Sequence, residues 1–549
     1  MKERKRMTSL NRTRQLTNGL FLLRGITMKS FCLKYLTVCL LVGTIHAQAI
    51  LPTQFGFHQD HILSSEQPAD IGFGTFRTWD TGCCQWYQIE KTQGQYTFTG
   101  ADTILEELKG DGINDVLVTF GVGVPTFYSN STNSICAYSP GTCYPPTDVN
   151  SDGTGTDAAW IAFLQNAVAY FSNTGYLQNH AHVLYYELFN EFDRSSILNS
   201  AGCTSSCQFQ GTFSQLLRMQ EDARCVIQGV GTIHARNVSC ANSGISPRGI
   251  DPAATAIAGN VEGGYAAQRV VLQNFLYCNS SPPAGSQCNW NGTDWGASAD
   301  PVIVLHYYFA NVPVPIPELV INRIYLQRST LLTAEQNKPY FAGEGSWLKN
   351  YTQTDPGLSA GFTARWWLSL LLAQHFATGS PGPIRGYWYN WDGGDDPVNG
   401  YGGLWSTSSQ TFNPPASYLS CETPENGGYI CTGGTAAKQI ISWLVGQTWV
   451  TASCPSSCTN PTQGVFKIDI TGANGYQAEV AWDSSTPTQA CSLYAHPQVC
   501  GNTSYTAPGY VTHYRDLAGG THASVPTVIG AEPIIAESNV GTVMFRVAK

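Results

Sequence analysis

Read for the spacing of its apolar positions, the chain alternates two patterns from residue 51 to about residue 448. Short runs rich in Val, Ile, Tyr and Phe predict strands at Gln54–His58, Ile71–Trp79, Asp115–Phe120, Val183–Phe189, Pro301–Phe309, Pro339–Gly343 and Ile384–Asn390. Between them, stretches of helical period predict helices at Thr103–Lys109, Ala158–Phe171, Phe213–Ile227, Ala266–Leu276, Pro317–Leu332, Phe362–Phe376 and Thr435–Leu444. Near-continuous apolar strands such as Pro301-Val-Ile-Val-Leu305 fit burial on both faces, as in a parallel sheet. Roughly eight such βα units over about 400 residues predict a (β/α)8 TIM barrel with long loops. A doubly wound sheet competes, but no GxGxxG follows a strand and no P-loop is present.

After about residue 449 the pattern changes. Val465–Ile470, Tyr476–Trp482, Val511–Asp516 and Thr542–Val547 alternate at period two between Gly, Asn, Pro and Ser turns. The expectation is a smaller C-terminal antiparallel β-sandwich domain over 449–549, packed on a catalytic barrel over 50–448.

The first 49 residues form neither pattern. Lys29 and Lys34 precede an uncharged apolar run, Tyr35 to Ile45, which ends in Ala47-Gln48-Ala49. This reads as a signal peptide with a small-x-small cleavage site behind an N-terminal extension, and Met28 is an alternative start. The run is too short to span a bilayer, and no later segment is long enough, so no membrane partner is expected. Charge supports the same division. Residues 1–49 hold nine basic residues and one acid, which leaves 20 basic and 37 acidic residues, a net charge of −17, in the remainder. Nucleic acid is therefore not an expected partner.

Beyond Cys32 and Cys39 of the leader, sixteen cysteines fall as close neighbours: 83/84, 136/143, 203/207, 225/240, 278/288, 421/431, 454/458 and 491/500. Local, even-numbered pairs beside turn residues read as loop-stapling disulfides of a secreted protein. For Cys83 and Cys84, a vicinal bridge competes with longer links. No His stands at zinc-ligand spacing from these pairs. Asp148-Val-Asn-Ser-Asp152-Gly153 has the opening of a calcium loop, but Ala159 stands where an EF-hand needs Glu. No cofactor or metal is expected. The sequons at Asn130, Asn237, Asn279, Asn291, Asn350 and Asn502 are of a kind that a chain rich in Asn, Ser and Thr produces by chance.

In a barrel, chemistry sits where strands end. Val183-Leu-Tyr-Tyr-Glu-Leu-Phe-Asn-Glu191 stops on Asn190-Glu191, and Pro339-Tyr-Phe-Ala-Gly-Glu344-Gly-Ser-Trp347 stops on a glutamate among glycines. Two carboxylates on separate strand tips suit glycosidic cleavage, in which one protonates the leaving oxygen and the other attacks or activates water. No GxSxG elbow supports an esterase.

Over about residues 50–450 the sequence resembles the retaining glycoside hydrolases of clan A. Within the clan, Tyr186-Glu-Leu-Phe-Asn-Glu191 and the segment Phe76-Arg-Thr-Trp-Asp80 through Trp86, Tyr96-Thr-Phe98 and Ile104-Leu105 are most similar to family 39, the β-xylosidase and α-iduronidase family. Phe192 departs from the proline that often follows the catalytic glutamate, and Phe189 from a common tryptophan. The resemblance implies Glu191 as acid/base on the fourth strand and Glu344 as nucleophile on the seventh.

Around this pair, the expected substrate-binding residues are Arg77 donating to Glu344, Asn190 on the sugar 2-hydroxyl, Tyr308 on the nucleophile, His306 on a sugar hydroxyl and Trp391 as a stacking floor. Each has a structural alternative. Arg77 could pair with Asp80, His306 could be a satisfied core histidine, and Trp79, Trp347, Trp388 and Trp391 could pack in the core. Glu187, deep in its strand, Glu262 and Asp392 are lesser catalytic candidates. The functional expectation is a secreted retaining glycosidase with a carbohydrate substrate. The alternative is a carbohydrate-binding or surface protein on a barrel without catalysis.

Overall fold

The computed structural model describes residues 49–58, 71–121, 123–262, 266–277, 295–308, 317–329, 336, 338–346, 356–378, 385–391, 403–406, 421–425, 428–485 and 503–539. Eight parallel strands close into a barrel: β1 (Phe55–His58), β2 (Thr75–Arg77), β3 (Val116–Thr119), β4 (Val183–Phe189), β5 (Thr255–Val261), β6 (Ile303–His306), β7 (Tyr340–Gly345) and β8 (Arg385–Trp388), with β8 pairing back onto β1. Helices follow β2 to β8 in turn, at Thr99–Gly110, Ala158–Phe171, Phe213–Gln228, Ala266–Tyr277, Leu319–Ser329, Pro356–Thr378 and Thr432–Leu444. The TIM barrel read from the periodicity is thus the observed architecture. Local chemistry sets the helix ends. Thr212 and Gln215 cap the helix Phe213–Gln228 reciprocally, and Gly229, with φ of 75°, ends it in the left-handed conformation.

Strand parity decides what fills the barrel. Leu117, Ile257, Val304, Phe341 and Tyr387 pack together in its lower interior, while their sequence neighbours Val116, Val118, Ala256, Ala258, Ile303 and Leu305 join the main outer core. Arg385 closes the base, bonded to Asp115 at 2.6 Å and lying over the Tyr185 and Phe341 rings. The layer above is polar, and it carries the candidate site.

β5 is the strand that the periodicity misses. Its sequence, Thr-Ala-Ile-Ala-Gly-Asn-Val, is too small and too interrupted to register as an apolar run. Gly259 is required there. Its φ is +136°, and a Cβ would meet the Phe189 carbonyl oxygen of β4 at 2.2 Å. The alternation resets at this glycine, so that Asn260 turns inward as Ile257 does.

The chain continues into an antiparallel sheet of six strands: β9 (Thr448–Ser453), β10 (Val465–Thr471), β11 (Gln477–Asp483), β12 (His513–Arg515), β13 (Thr521–His522) and β14 (Ile534–Glu537), in the order β9-β10-β11-β14-β12-β13. A two-stranded ribbon, Thr503–Ser504 with Val528–Ile529, completes the β-sandwich. One sheet face, including Phe466, Ile468, Val480 and Trp482, merges with the barrel's outer core, and the other packs on Tyr505, Val511 and Ile529. The join is also polar: Trp482 Nε1 donates to Glu318 Oε1 at 2.7 Å, and Arg365 binds both oxygens of that carboxylate at 2.7 Å.

Among the described residues, six disulfides form between the cysteines nearest in sequence: 83–84, 136–143, 203–207, 225–240, 421–431 and 454–458. The pairs 278/288 and 491/500, the leader, the strand Thr542–Val547, four of the sequons (Asn279, Asn291, Asn350 and Asn502), Trp347 and Asp392 lie outside the described residues. In the Asp148–Asp157 loop, the carbonyls of Gly153, Gly155 and Thr156 accept from the buried Arg218 guanidinium at 3.0, 3.1 and 3.2 Å. Asp148 Oδ2 meanwhile accepts from the Ala158 N–H at 2.6 Å, at the start of the next helix. The calcium-like sequence therefore folds around an internal cation of the chain. Among the described residues, no helix is long and apolar enough to cross a membrane.

Candidate active site

The polar layer is built around Arg77, the last residue of β2, whose side chain is fully buried. Its guanidinium donates to Glu187 Oε2 from Nε at 2.7 Å, to Glu344 Oε1 from Nη1 at 2.7 Å and to Asn190 Oδ1 from Nη2 at 2.8 Å. Arg77 therefore reaches the catalytic candidates. Asp80, its alternative partner, instead accepts from the hydroxyls of Tyr138 and Tyr389, at 2.6 and 2.9 Å.

Glu187 lies one inward step below the strand tip and is completely buried. It accepts from Arg77, from Thr119 Oγ1 at 2.6 Å and from Asn260 Nδ2 at 2.6 Å. With its oxygens so engaged beneath the cleft, it serves as the anchor that aims Arg77 upward. Asn260 does two jobs. Besides Glu187 it accepts the backbone N–H of Glu191 at 2.9 Å, which fixes that residue in a left-handed conformation with φ of 39°. Such a conformation is costly for a residue with a Cβ and is held here by its surroundings.

Glu191 and Glu344 face each other across His306. Nδ1 of His306 lies 2.9 Å from Glu191 Oε1 and 3.1 Å from Glu344 Oε2. One oxygen of each carboxylate and that imidazole nitrogen all fall within 4.8 Å of one another. Tyr308, two residues on, donates from its hydroxyl to Glu344 Oε2 at 2.6 Å. Period two thus brings both residues together, and His306 bridges the carboxylates through Nδ1 alone. Gly343 allows the close approach of β6 and β7 here, since a Cβ would meet Val304 Cγ1 at 2.6 Å and the His306 ring at 3.3 Å.

Electrostatics differentiates the groups. Burial opposes ionisation of Glu344, but His306 and Arg77 outweigh it and hold the carboxylate ionised far below the usual range. Burial likewise opposes charge on His306, yet the two glutamates overcome it and raise the imidazole to about 9. His58, at the end of β1, is the reverse case. Burial and then Arg77 lower it to about 3, so the neutral ring accepts from Arg77 at 3.0 Å and faces the Trp79 carbonyl at 3.3 Å. Arg194 lies 3.3 Å from the other oxygen of Glu191. Beyond it, burial and then the Glu191 charge raise both Asp193 and Glu262.

The Glu191–His306–Glu344 group is also the one cluster of its kind, among the described residues, whose donor atoms are close enough to share a metal ion. Arg77 and Arg194 already supply positive charge to both carboxylates, so no metal is invoked.

Of the residues singled out in the sequence, Arg77, Asn190, Glu191, His306, Tyr308 and Glu344 converge. Trp391 does not join them. It is 1 % exposed and packs in the core against Phe57 at 5.6 Å and parallel to Trp405 at 6.3 Å. Trp388 likewise points outward onto Trp366 and Trp367. The aromatic that β8 presents to the site is Tyr389, next in the inward series Arg385, Tyr387, Tyr389, with its ring 5.3 Å from His58 and 6.2 Å from Tyr308. Parity along Ile384–Asn390 carried that signal. His58, Thr119 and Asn260 carried none beyond being polar residues near strand ends.

No protein-family model matches the sequence, and no curated protein matches it. Solved structures do. A family 39 glycoside hydrolase from the gut symbiont Bacteroides cellulosilyticus WH2 superposes with a TM-score of 0.52 at 14% identity, covering 90% of this chain and 82% of that one. A glucosidase from Croceicoccus marinus gives 0.48 at 12% identity, covering 90% and 98%. The chain thus shares its fold with that family 39 glycoside hydrolase, and in this chain it is a closed eight-stranded barrel joined to a β-sandwich.

Proposed function

We propose that this protein is a secreted retaining glycoside hydrolase that cleaves O-glycosidic bonds of polysaccharides or oligosaccharides by double displacement. The observation that carries the reading is the pair of strand-tip carboxylates whose nearest oxygens come within 4.8 Å. Retaining enzymes hold their carboxyl groups about 5–5.5 Å apart, and inverting ones about 6.5–9.5 Å apart to admit a water. The family 39 fold agrees with the reading, and six disulfides agree with export to an oxidising compartment.

In the first step Glu344, ionised and oriented by Arg77 and Tyr308, attacks the anomeric carbon while Glu191 protonates the departing oxygen. A glycosyl–Glu344 ester forms and the glycosidic bond breaks. Having given up its proton to the leaving group, Glu191 stands as a carboxylate beside His306, ready to act as base. In the second step Glu191, as base, takes a proton from water, whose oxygen displaces Glu344 from the sugar. Asn190, with Oδ1 held by Arg77, presents its amide N–H to the 2-hydroxyl. The deciding experiment is proton NMR of the first turnovers on an aryl glycoside. The sugar is expected to appear with the anomeric configuration of the substrate, and initial release of the opposite anomer would overturn double displacement.

The pH dependence follows from His306. Its folded value of about 9 lies above the ordinary 6.5, so its stabilisation is complete below about 6.5 and is lost as pH rises through about 9. Activity is expected to fall over the same upper range, as the two carboxylates lose the cation between them. A kcat/KM profile should show an alkaline limb near pH 9 that His306→Gln shifts or removes.

A further inference from the structure

The double displacement leaves the residues on the outer side of Glu191 unused. Oε1 of Glu191 faces His306 and, through it, the nucleophile, whereas Oε2 faces the Arg194 guanidinium at 3.3 Å. Glu262, the residue after β5, borders that same outer side. Of the charges around it, those of Glu191 and then Arg194 act on it most strongly, and those of His306 and Glu344 less. Both side chains keep polar atoms to offer. The Arg194 side chain is 37% exposed, and Glu262 is half-buried. A guanidinium carries five N–H donors, and among the described residues the Glu191 contact is the one hydrogen bond that the Arg194 side chain makes. The Glu262 carboxylate accepts none from them, and no ion pair joins the two groups. Their backbones, by contrast, are fixed. Arg194 N–H donates to Glu191 O at 2.8 Å, and Arg194 O accepts from Gln208 N–H at 2.7 Å. Glu262 N–H donates to Oδ1 of the fully buried Asp193 at 2.9 Å, and Phe192 N–H to Asn260 O at 3.1 Å ties the end of β5 to the loop after β4. A donor and an acceptor held in place with unused hydrogen-bonding capacity make a preorganised polar site.

We propose that Arg194 and Glu262 bind the leaving group, and that the leaving group is itself a sugar residue held through its hydroxyls. This rests on the glycosidase reading. Glu191 delivers its proton to the glycosidic oxygen, so the departing residue lies against Glu191 on the side away from Glu344, where these two side chains stand. A hydroxyl both donates and accepts, so neighbouring hydroxyls of one sugar satisfy a guanidinium and a carboxylate at once, by charge-assisted bonds. An alkyl chain satisfies neither and displaces the water that did, which is how a polar site rejects an apolar ligand. The same site acts in the second step. A sugar bound there in place of water gives a hydroxyl proton to Glu191 while its oxygen bonds to the anomeric carbon and the bond to Glu344 breaks. The glycone is then transferred to that sugar instead of being hydrolysed, and sugars become better acceptors than simple alcohols.

A panel of glycans first gives the mono- or oligosaccharide unit that the protein releases fastest. Two substrates then carry that unit, one linked to a further sugar residue and the other to n-butanol. Both departing alcohols need the proton of Glu191, and only the first has hydroxyls to offer. The kcat/KM of the unmodified protein should be about 100-fold or more higher on the first, the worth of two charge-assisted hydrogen bonds. Glu262→Gln and Arg194→Met should each narrow that preference by about tenfold or more. A measurement on the unmodified protein alone needs no variant to fold. Methyl glycosides should intercept the glycosyl ester at concentrations at least about tenfold below those of n-butanol, read from the ratio of transfer to hydrolysis. Variants that slow both substrates by one common factor overturn the proposal, since a structural role, or one confined to Glu191, moves both alike. If the unmodified protein cleaves no glycan, the glycosidase reading falls and this proposal with it. Cleavage that shows no preference for the sugar leaving group, or methyl glycosides that compete no better than n-butanol, overturns this proposal alone.

Discussion

Glu344→Gln is expected to hydrolyse an activated aryl glycoside about four to six orders of magnitude more slowly than the unmodified protein, a loss of about 5–8 kcal/mol of transition-state stabilisation. An amide neither attacks the anomeric carbon nor stabilises the positive charge that develops there, and among the described residues Glu187 is not placed to replace it. Glu187 is buried one inward step lower with its oxygens bonded to Arg77, Thr119 and Asn260. Glu191→Ala should lose a similar amount on poor leaving groups but far less on a 2,4-dinitrophenyl glycoside, whose departure needs no proton. Its KM on that substrate should fall, because the glycosyl ester accumulates when no base activates water. Azide separates the two roles. In Glu344→Ala it attacks from the vacated face and yields a glycosyl azide of inverted configuration, and in Glu191→Ala it intercepts the ester and yields the retained one. Activity within about tenfold of normal in either variant, on a substrate with a poor leaving group, would overturn the assignment.

Arg77→Met is expected to be the most damaging substitution for stability at this site. It removes the shared cation from two buried carboxylates, Glu187 at 0% and Glu344 at 4% exposure. Breaking a buried ion pair from one side costs about 3–5 kcal/mol, because the charge left behind has lost both water and partner. The pH dependence identifies the cause. A buried neutral carboxyl costs much less than its anion, so the deficit relative to the unmodified protein should shrink as pH falls from 7 toward 4. Denaturant unfolding at several pH values measures it, and a deficit that stays constant with pH would point to lost packing instead. Turnover should fall as well, since Glu344 and Asn190 both lose the donor that orients them.

The site itself is partly legible in the sequence. Glu191 and Glu344 stand out because a charged residue ending a long apolar run is conspicuous, Arg77 follows as the polar tip of β2, and His306 and Tyr308 follow from period two along β6 and the residues after it. Trp391 misleads for a physical reason. An aromatic near a strand end reads the same whether it faces the cleft or the helices, and the chain turns its ring into the core beside Phe57 and Trp405. β5 escapes notice because its small residues and Gly259 serve close strand approach, which no periodicity records.

What the sequence determined by itself was local or periodic. It set the alternation of strand and helix that closes a barrel, the change to period two that makes the sandwich, and the disulfide partners within fifteen residues of each other, where short separation leaves little choice. Tertiary structure alone decided what depends on distant segments meeting. It set Arg77 between Glu187 and Glu344, 110 and 267 residues away, made Glu187 an anchor, placed Asn260 under the Glu191 backbone, and put one imidazole between two carboxylates. Burial and charge acquire their strength only in that assembled, water-poor layer, where the same histidine type sits near 3 at position 58 and near 9 at position 306.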